Sequence, residues 1–214
     1  MQVEIWSDIV CPWCYLGKRH LEQALESFGH AGEVEVVYRS FELDDSVPPG
    51  VTTPTVQVLA SKYGMTAQQA ADIQRQMEQR AAEDGLVFRM DDLRSGNTRD
   101  AHRLLQLAKR NGQQSALIEV LYRAYFTDQD SVFDHASLTR LAVEAGLDPT
   151  TVERVLATSE FADDVTADEL TARSLGANGV PFFVIDRRFG ISGAQPADTI
   201  ATALQHAWAA TATT

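Results

Sequence analysis

Apolar and polar positions in the first forty residues predict a strand, a helix and a second strand. Residues 2–7 alternate loosely between the two classes, as in a half-buried strand. From Pro12 onward the apolar residues recur at helical spacing, until Gly29 and Gly32 end the pattern. Residues 33–41 are rich in β-branched and aromatic side chains, which favours a second strand. The chain therefore opens as a β-α-β unit.

Helical patterns replace strand patterns between residues 54 and about 160. Thr66 and Gln69 have the spacing of a capping box, in which each side chain satisfies a backbone N–H at a helix start. The apolar residues expected on the buried face of that helix are Ala70, Ile73, Met77 and Ala81. Asn97 and Asp134 are candidate caps of later helices.

Strand patterns return after a helix that ends before Gly176. Residues 180–185 predict a strand, and residues 186–191 complete a hairpin. Gln195 and Pro196 precede a final helix with a regular apolar face. The full order is thus β-α-β, a block of helices, then α-β-β-α.

A single sheet interrupted by a helical insertion accounts for this order. We therefore predict an α/β fold in which a large all-helical domain follows the β-α-β half. The sheet domain is expected to comprise residues 1–44 and 160–214, and the helical insertion residues 45–159.

The net charge of −12 over 214 residues removes two classes of partner. A nucleic-acid-binding domain needs a basic face, and attraction to an anionic membrane needs a polybasic segment. The N-terminus lacks the basic region and the apolar region of a signal peptide. No apolar stretch of the sequence is long enough to span a bilayer. We expect no nucleic acid and no membrane among the partners, and a cytoplasmic protein.

The two cysteines of the chain, Cys11 and Cys14, stand at the predicted junction of the first strand and helix, with Pro12 and Trp13 between them. Two thiols at this spacing can close reversibly into a disulfide. Unpaired N–H groups at a helix N-terminus favour a thiolate there. We expect Cys11 to be the exposed nucleophile, Cys14 to be the buried resolving thiol, and Trp13 to be partly exposed.

Two other roles for the cysteine pair are weaker. A structural zinc site needs four ligands, so two of the scattered histidines would have to join the cysteines. Two inert core cysteines are the other alternative. Haem attachment would need a histidine directly after the second cysteine, where Tyr15 stands.

Pro181 begins the third predicted strand and has two interpretations. Proline at a strand start is tolerated at a sheet edge. Alternatively, the Val180–Pro181 bond is cis and packs against the dithiol, a geometry that would present the backbone groups of Val180 to an extended substrate peptide. The dithiol and the order of elements favour the second interpretation.

Several residues have both a structural and a functional interpretation. Asp8 either caps the first helix or its loop, or acts on Cys11 through its charge. Asn97 is either an N-cap or a residue of the substrate cleft, and His102 either an ordinary histidine or a cleft residue. We expect aromatic core positions at Trp6, Phe41, Phe182 and Phe183. We expect a solvated helix face at Asp163, Asp164, Asp168 and Glu169.

Three segments resemble the DsbA family of thioredoxin-fold proteins, and within it the FrnE-like branch of dithiol–disulfide oxidoreductases and isomerases. They are residues 7–17, 97–103 and 179–185. The resemblance implies a thioredoxin fold, a nucleophilic Cys11 and a cis proline at Pro181. It also implies substrate contacts from Pro12, Trp13, Val180, Asn97 and His102, and homodimers as an expected assembly. Some FrnE-like proteins carry a second cysteine pair, which this sequence lacks.

The same superfamily supplies the main alternative function. Kappa-class glutathione transferases and 2-hydroxychromene-2-carboxylate isomerases are similar in architecture, but they use a serine at the position of Cys11. By that resemblance, Val180 and residues 192–195 would hold glutathione. We expect no bound cofactor or metal, and protein or small-molecule thiols and disulfides as partners, with glutathione among them. A non-catalytic binding module on the same fold is a further alternative.

Overall fold

The computed structural model describes Met1–Thr211, and within these residues it contains six strands and nine α-helices. The strands are β1 (Gln2–Ser7), β2 (Glu35–Ser40), β3 (Thr52–Pro54), β4 (Arg94–Gly96), β5 (Phe182–Ile185) and β6 (Phe189–Ser192). The helices are α1 (Pro12–Glu26), α2 (Thr55–Tyr63), α3 (Ala67–Glu83), α4 (Arg99–Arg110), α5 (Gln114–Phe126), α6 (His135–Glu144), α7 (Pro149–Ala157), α8 (Ala162–Ser174) and α9 (Ala197–Thr211).

The chain divides into two compact units. The first comprises Met1–Leu43 and the chain from Thr166 onward, and the second comprises Asp44–Val165. The division falls after Leu43 and after Val165, within α8, where the sequence predicted boundaries after residues 44 and 159. The first unit contains the four-stranded sheet, and the second contains most of the helices together with the short β3–β4 pair.

The sheet of the first unit has the strand order β2-β1-β5-β6. β1 is parallel to β2 and antiparallel to β5, and β5 is antiparallel to β6. Trp6 near the end of β1 lies opposite Phe182 at the start of β5. This register places the segment that follows β1 beside the segment that precedes β5, although the two are far apart in sequence.

Alternate residues of the central strands pack on opposite faces of the sheet. On one face, Trp6, Phe182 and Val184 form a buried cluster with Ala172 of α8. The indole N–H of Trp6 donates a 2.8 Å hydrogen bond to the backbone carbonyl of Asp168, which attaches α8 to this face. The core positions expected at Trp6, Phe182 and Phe183 are confirmed, whereas Phe41 is only half-buried.

Three buried carboxylates hold the chain where it leaves β2. Along this exit segment (residues 40–43), the N–H of Ser40 donates to Asp168 at 3.0 Å, that of Glu42 to Glu169 at 2.9 Å, and that of Leu43 to Asp8 at 2.8 Å. A buried backbone N–H without such an acceptor would be costly. The carboxylates therefore replace the strand partner that this segment lacks.

The expectation of a solvated face is wrong for Asp168 and Glu169, which are buried. In addition to the hydrogen bond from Ser40, Asp168 accepts a 3.1 Å hydrogen bond from Arg39 of β2. The same guanidinium donates to Glu4, at 2.9 and 2.6 Å. Partners that are distant in sequence thus bury the two acids, while Asp163 and Asp164 on the same helix are exposed.

The second unit confirms several predicted helix starts and corrects others. The capping box of Thr66 and Gln69 is present, and Asp134 caps α6. Ile73 was expected on the buried face of α3 but is exposed, and Gln74 is buried instead because its Nε2 donates to the carbonyl of Met90 at 3.0 Å. Thr98 rather than Asn97 is the N-cap of α4.

A helix was expected to begin at residue 54, but Pro54 ends β3, which pairs with β4, and α2 begins at Thr55. No helix within residues 1–211 is long and apolar enough to cross a bilayer.

Replacing Asp168 with Asn should destabilise the first unit by about 1–3 kcal/mol, because the Arg39 guanidinium loses one of its two carboxylates and the Ser40 N–H loses a charged acceptor. Chemical denaturation would measure the loss. Asp163→Asn, an exposed change on the same helix, should cost less than about 1 kcal/mol. Equal losses in the two variants would contradict this account of α8.

Candidate redox site

The turn between β1 and α1 positions the two cysteines. Cys11 is the N-cap of α1, with extended backbone angles (φ −92°, ψ 111°), and Pro12 occupies the first helical turn. The N–H of Cys11 donates to the carbonyl of Asp8 at 3.2 Å, and the N–H of Cys14 donates to the carbonyl of Cys11 at 3.0 Å. Cys11 therefore stands before the first turn of the helix, and Cys14 lies within that turn.

Both cysteines are free thiols, and both are buried, with exposed fractions of 4% for Cys11 and 2% for Cys14. The expectation that Cys11 is exposed is therefore wrong. Its Sγ lies 3.7 Å from the carbonyl oxygen of Val180, so the thiol points at the backbone before β5 rather than at solvent. Trp13 is 47% exposed, as expected for the residue between the thiols.

The Val180–Pro181 peptide bond is cis, which confirms the prediction. Pro181 is buried directly before β5, and Val180 is half-buried. The carbonyl of Pro181 accepts a 2.8 Å hydrogen bond from the N–H of Gly193, in the loop between β6 and α9. The Val180 carbonyl faces Cys11, whereas the Pro181 carbonyl is bound to Gly193, so the two neighbouring carbonyls have separate partners.

A close approach between α1 and Pro181 keeps this geometry together. A Cβ atom placed on Gly17 would lie 2.9 Å from Cγ of Pro181 and 3.2 Å from Cζ of Phe183. Neither ring can move aside easily, because the proline ring is rigid and Phe183 is fully buried. Glycine is therefore required here for space. The unusual position of a glycine inside a helix was the available sequence signal.

His20 provides a second contact between α1 and the neighbourhood of the cis proline. It is buried, and its Nδ1 lies 2.8 Å from the carbonyl oxygen of Gln195, which requires the tautomer that carries a proton on Nδ1. This bond fixes the loop that also carries Gly193. The sequence contained no local signal for it, since His20 and Gln195 are 175 residues apart.

The Cys14 thiol has a pKa well above its ordinary value. Burial is the main cause, followed by the hydrogen bond and then the charge interaction with Cys11. A hydrogen bond from the Asp8 backbone lowers the pKa by less, and the negative charge of Asp8 raises it by the smallest amount. Cys14 is accordingly the sulfur that keeps its proton.

The structure also decides between the two interpretations of Asp8. Its Oδ1 accepts from the N–H of Ile9 at 2.7 Å, so the side chain caps its own turn, whereas α1 has Cys11 as N-cap without a side-chain acceptor. Its charge acts on Cys14, which was not expected.

Asn97 and His102 belong to the second unit. The Nδ2 of Asn97 donates to the carbonyl of Val47 at 2.9 Å, and its Oδ1 accepts from the N–H of Arg99 at 3.0 Å. His102 is buried within α4. Their contact with substrate stays a prediction. Across residues 1–211, no three His, Cys, Asp or Glu side chains lie close enough together to hold a metal ion.

Comparison with known families covers nearly the whole chain. Residues 2–205 match the model of the DSBA-like thioredoxin domain. The chain belongs to this family. The predicted fold class, a thioredoxin-like α/β fold with a helical insertion, is confirmed by the match and by the observed topology. Membership supports a thiol–disulfide oxidoreductase as the broad functional class.

Solved structures extend the comparison. The probable DsbA oxidoreductase SCO1869 from Streptomyces coelicolor is 50% identical, with a TM-score of 0.94 over 98% of this chain and 90% of that one. A 2-hydroxychromene-2-carboxylate isomerase is 16% identical (TM-score 0.72; 99% and 98% covered). The cytosolic disulfide reductase DsbM from Pseudomonas aeruginosa, solved with glutathione, is 17% identical (TM-score 0.62; 96% and 98% covered). At these low identities, the last two comparisons show only that both proteins share the fold of this chain.

Replacing Gly17 with Ala should destabilise the first unit, although alanine by itself favours a helix by about 1 kcal/mol. The added methyl group would push α1 away from Pro181 and Phe183, and such overpacking costs about 1–3 kcal/mol. Thermal denaturation of Gly17→Ala and Gly29→Ala would test this, since a Cβ on Gly29 meets no atom within 4 Å. A more stable Gly17→Ala variant would contradict the required close approach.

Proposed function

We propose that the protein exchanges disulfides with thiol substrates through Cys11 and Cys14, with Cys11 as the attacking sulfur. The observation that carries the proposal is the position of the Cys11 Sγ, at a helix N-terminus and 3.7 Å from the carbonyl of Val180, with Cys14 one turn behind it. Helix N-termini stabilise anions, and the thiolate is the nucleophile in disulfide exchange.

Reduction of a substrate disulfide proceeds in two steps. The Cys11 thiolate attacks one sulfur of the substrate disulfide, a Cys11–substrate bond forms, and the other substrate sulfur leaves as a thiolate that takes up a proton. Cys14 then loses its proton and attacks the Cys11 sulfur. The second substrate sulfur leaves as a thiolate, which takes up a proton to replace the one that Cys14 lost, and the protein holds a Cys11–Cys14 disulfide. Oxidation of a substrate dithiol runs through the same steps in reverse.

Val180 is proposed as the main backbone contact for the substrate. In the reduced protein its carbonyl accepts from the Cys11 thiol. Once Cys11 is bonded to substrate, the thiol proton is gone and the carbonyl can accept an N–H from an extended peptide. Pro12 and the exposed Trp13 would flank that peptide. Asn97 and His102 are proposed as further substrate contacts, on the resemblance alone.

We propose protein disulfides and glutathione as partners. The fold shared with DsbM, which was solved with glutathione, supports a tripeptide thiol as a partner of the same kind of site. We also propose that the protein isomerises disulfides and belongs to the FrnE-like branch. Its proposed location is the cytoplasm, and its proposed assembly is a homodimer. The direction of electron flow depends on the reduction potential of the pair, for which about 30 mV corresponds to tenfold in the equilibrium constant.

A glutathione-dependent isomerase is the second candidate, because the fold extends over almost the full length of 2-hydroxychromene-2-carboxylate isomerase. Such an activity would not use Cys14. It would survive Cys14→Ala, and glutathione would bind equally well to the oxidised and the reduced protein.

Replacing Cys11 with Ser should abolish insulin reduction and dithiol oxidation, because no other sulfur can start the exchange. Cys14→Ala should instead accumulate the mixed disulfide between Cys11 and substrate or glutathione, visible as a mass increase that dithiothreitol reverses. Wild-type activity in Cys11→Ser would refute the proposal.

Equilibration of the wild-type protein with glutathione redox buffers gives the direction. A potential near that of glutathione would favour isomerisation, and a much lower one would favour reduction. Cys14→Ala is the matched control, since it cannot form the internal disulfide and should show only the mixed disulfide of Cys11 with glutathione.

A further inference from the structure

His20 completes a closed series of contacts around Pro181. Gly17 of α1 lies close against the ring of Pro181. One turn later on α1, His20 donates a 2.8 Å hydrogen bond to the carbonyl of Gln195. The N–H of Gln195 donates to the carbonyl of Gly193 at 2.9 Å, and the N–H of Gly193 donates to that of Pro181 at 2.8 Å. The series thus begins and ends on α1, the helix that starts at the dithiol.

The loop between β6 and α9 is therefore held from two directions. Its Gly193 N–H is bound to the residue before β5, and its Gln195 carbonyl is bound to α1. The side-chain Nε2 of Gln195 donates to the carbonyl of Ser192 at 2.9 Å, which closes the loop on itself. Because His20 is 3% exposed, packing restrains its imidazole, and the hydrogen bond to Gln195 restrains the loop in turn.

The position of Pro181 determines where the Val180 carbonyl points. A peptide group is planar, and the nitrogen of Pro181 belongs to the same plane as that carbonyl. A shift of Pro181 therefore moves the oxygen that lies 3.7 Å from the Cys11 sulfur. In the proposed function this oxygen accepts an N–H from the substrate, and a misplacement of about 1 Å at such a group lowers a reaction rate strongly.

We propose that His20 is a positioning residue for the peptide backbone of the substrate. Its hydrogen bond to Gln195 holds the loop against Pro181, and Pro181 in turn sets the Val180 carbonyl for the substrate N–H. In this role His20 acts through the loop rather than on the sulfurs. It should therefore affect disulfides of extended peptides and not small disulfides without peptide groups. This inference rests on the proposed function and adds to it a residue that determines substrate class.

Two mixed disulfides that share a leaving group test this role. One joins thionitrobenzoate to the cysteine of an extended peptide, and the other joins it to mercaptoethanol. Attack by Cys11 on the non-aromatic sulfur forms the Cys11–substrate bond and releases thionitrobenzoate, whose absorbance reports the rate. The ratio of the two rate constants isolates the contribution of the peptide groups, because a loss of folded protein lowers both rates equally.

In His20→Leu we expect the ratio of peptide to mercaptoethanol rates to fall about fivefold from its wild-type value, the worth of one peptide hydrogen bond. Leucine has a similar size but no donor for the Gln195 carbonyl. His20→Phe, which keeps an aromatic ring without a donor, should lower the ratio in the same way. His20→Asn should restore it, because its Nδ2 carries N–H groups and is as many bonds from Cα as the Nδ1 of histidine.

Asp168→Asn is the matched control for stability, because it weakens the first unit through contacts with the exit segment rather than with the loop. Its ratio should equal that of wild type. An unchanged ratio in His20→Leu and His20→Phe overturns the inference. An equal fall in Asp168→Asn also overturns it, since the ratio would then follow stability alone, as does an Asn variant at residue 20 that is no better than Leu.

Methylation of the peptide provides an independent test of the same contact. A peptide methylated on the backbone nitrogens beside its cysteine should react about fivefold more slowly with wild type, because the Val180 carbonyl loses its donor. In His20→Leu the same methylation should change the rate little, because the two changes remove one interaction. Equal slowing in both proteins overturns the inference. Absence of thionitrobenzoate release from either substrate in wild type would instead refute Cys11 as the attacking sulfur.

Discussion

The contact on which the site depends is the 3.7 Å approach of the Cys11 sulfur to the Val180 carbonyl, between residues 169 positions apart. It requires β1 and β5 to pair so that Trp6 lies opposite Phe182. It also requires α1 to run close against Pro181, which Gly17 permits. The sheet register and one missing side chain thus determine where the sulfur points, while the cysteine spacing determines only that two sulfurs are near each other.

The two sulfurs differ because their surroundings differ. Cys11 stands before the first turn of α1 and faces a backbone carbonyl, whereas Cys14 is enclosed, and burial is the main cause that raises the pKa of its thiol. A dithiol with equal sulfurs would have no preferred order of attack. The order proposed here follows from the asymmetry of the turn, in which Asp8 contacts both cysteines through its backbone and reaches Leu43 through its side chain.

The features that could be predicted from sequence are those coded locally. β1, the start of α1 at Pro12 and the capping box at Thr66 all follow from spacing within a few residues. The burial of Asp168, the exposure of Ile73 and the enclosure of Cys11 depend on partners far along the chain. A carboxylate in a helix has the same local pattern whether it faces water or the N–H of Ser40. Sequence periodicity cannot distinguish the two cases.

The carboxylates around residues 40–43 have a consequence for the inserted segment. The chain leaves the first unit after Leu43 and returns at Thr166, and Asp168 and Glu169 of the returning helix bind the departing backbone directly. The ends of the inserted segment are therefore held together by the sheet unit itself. Because the entropy cost of closing a loop grows only slowly with its length, a longer or shorter insertion should cost the first unit little stability.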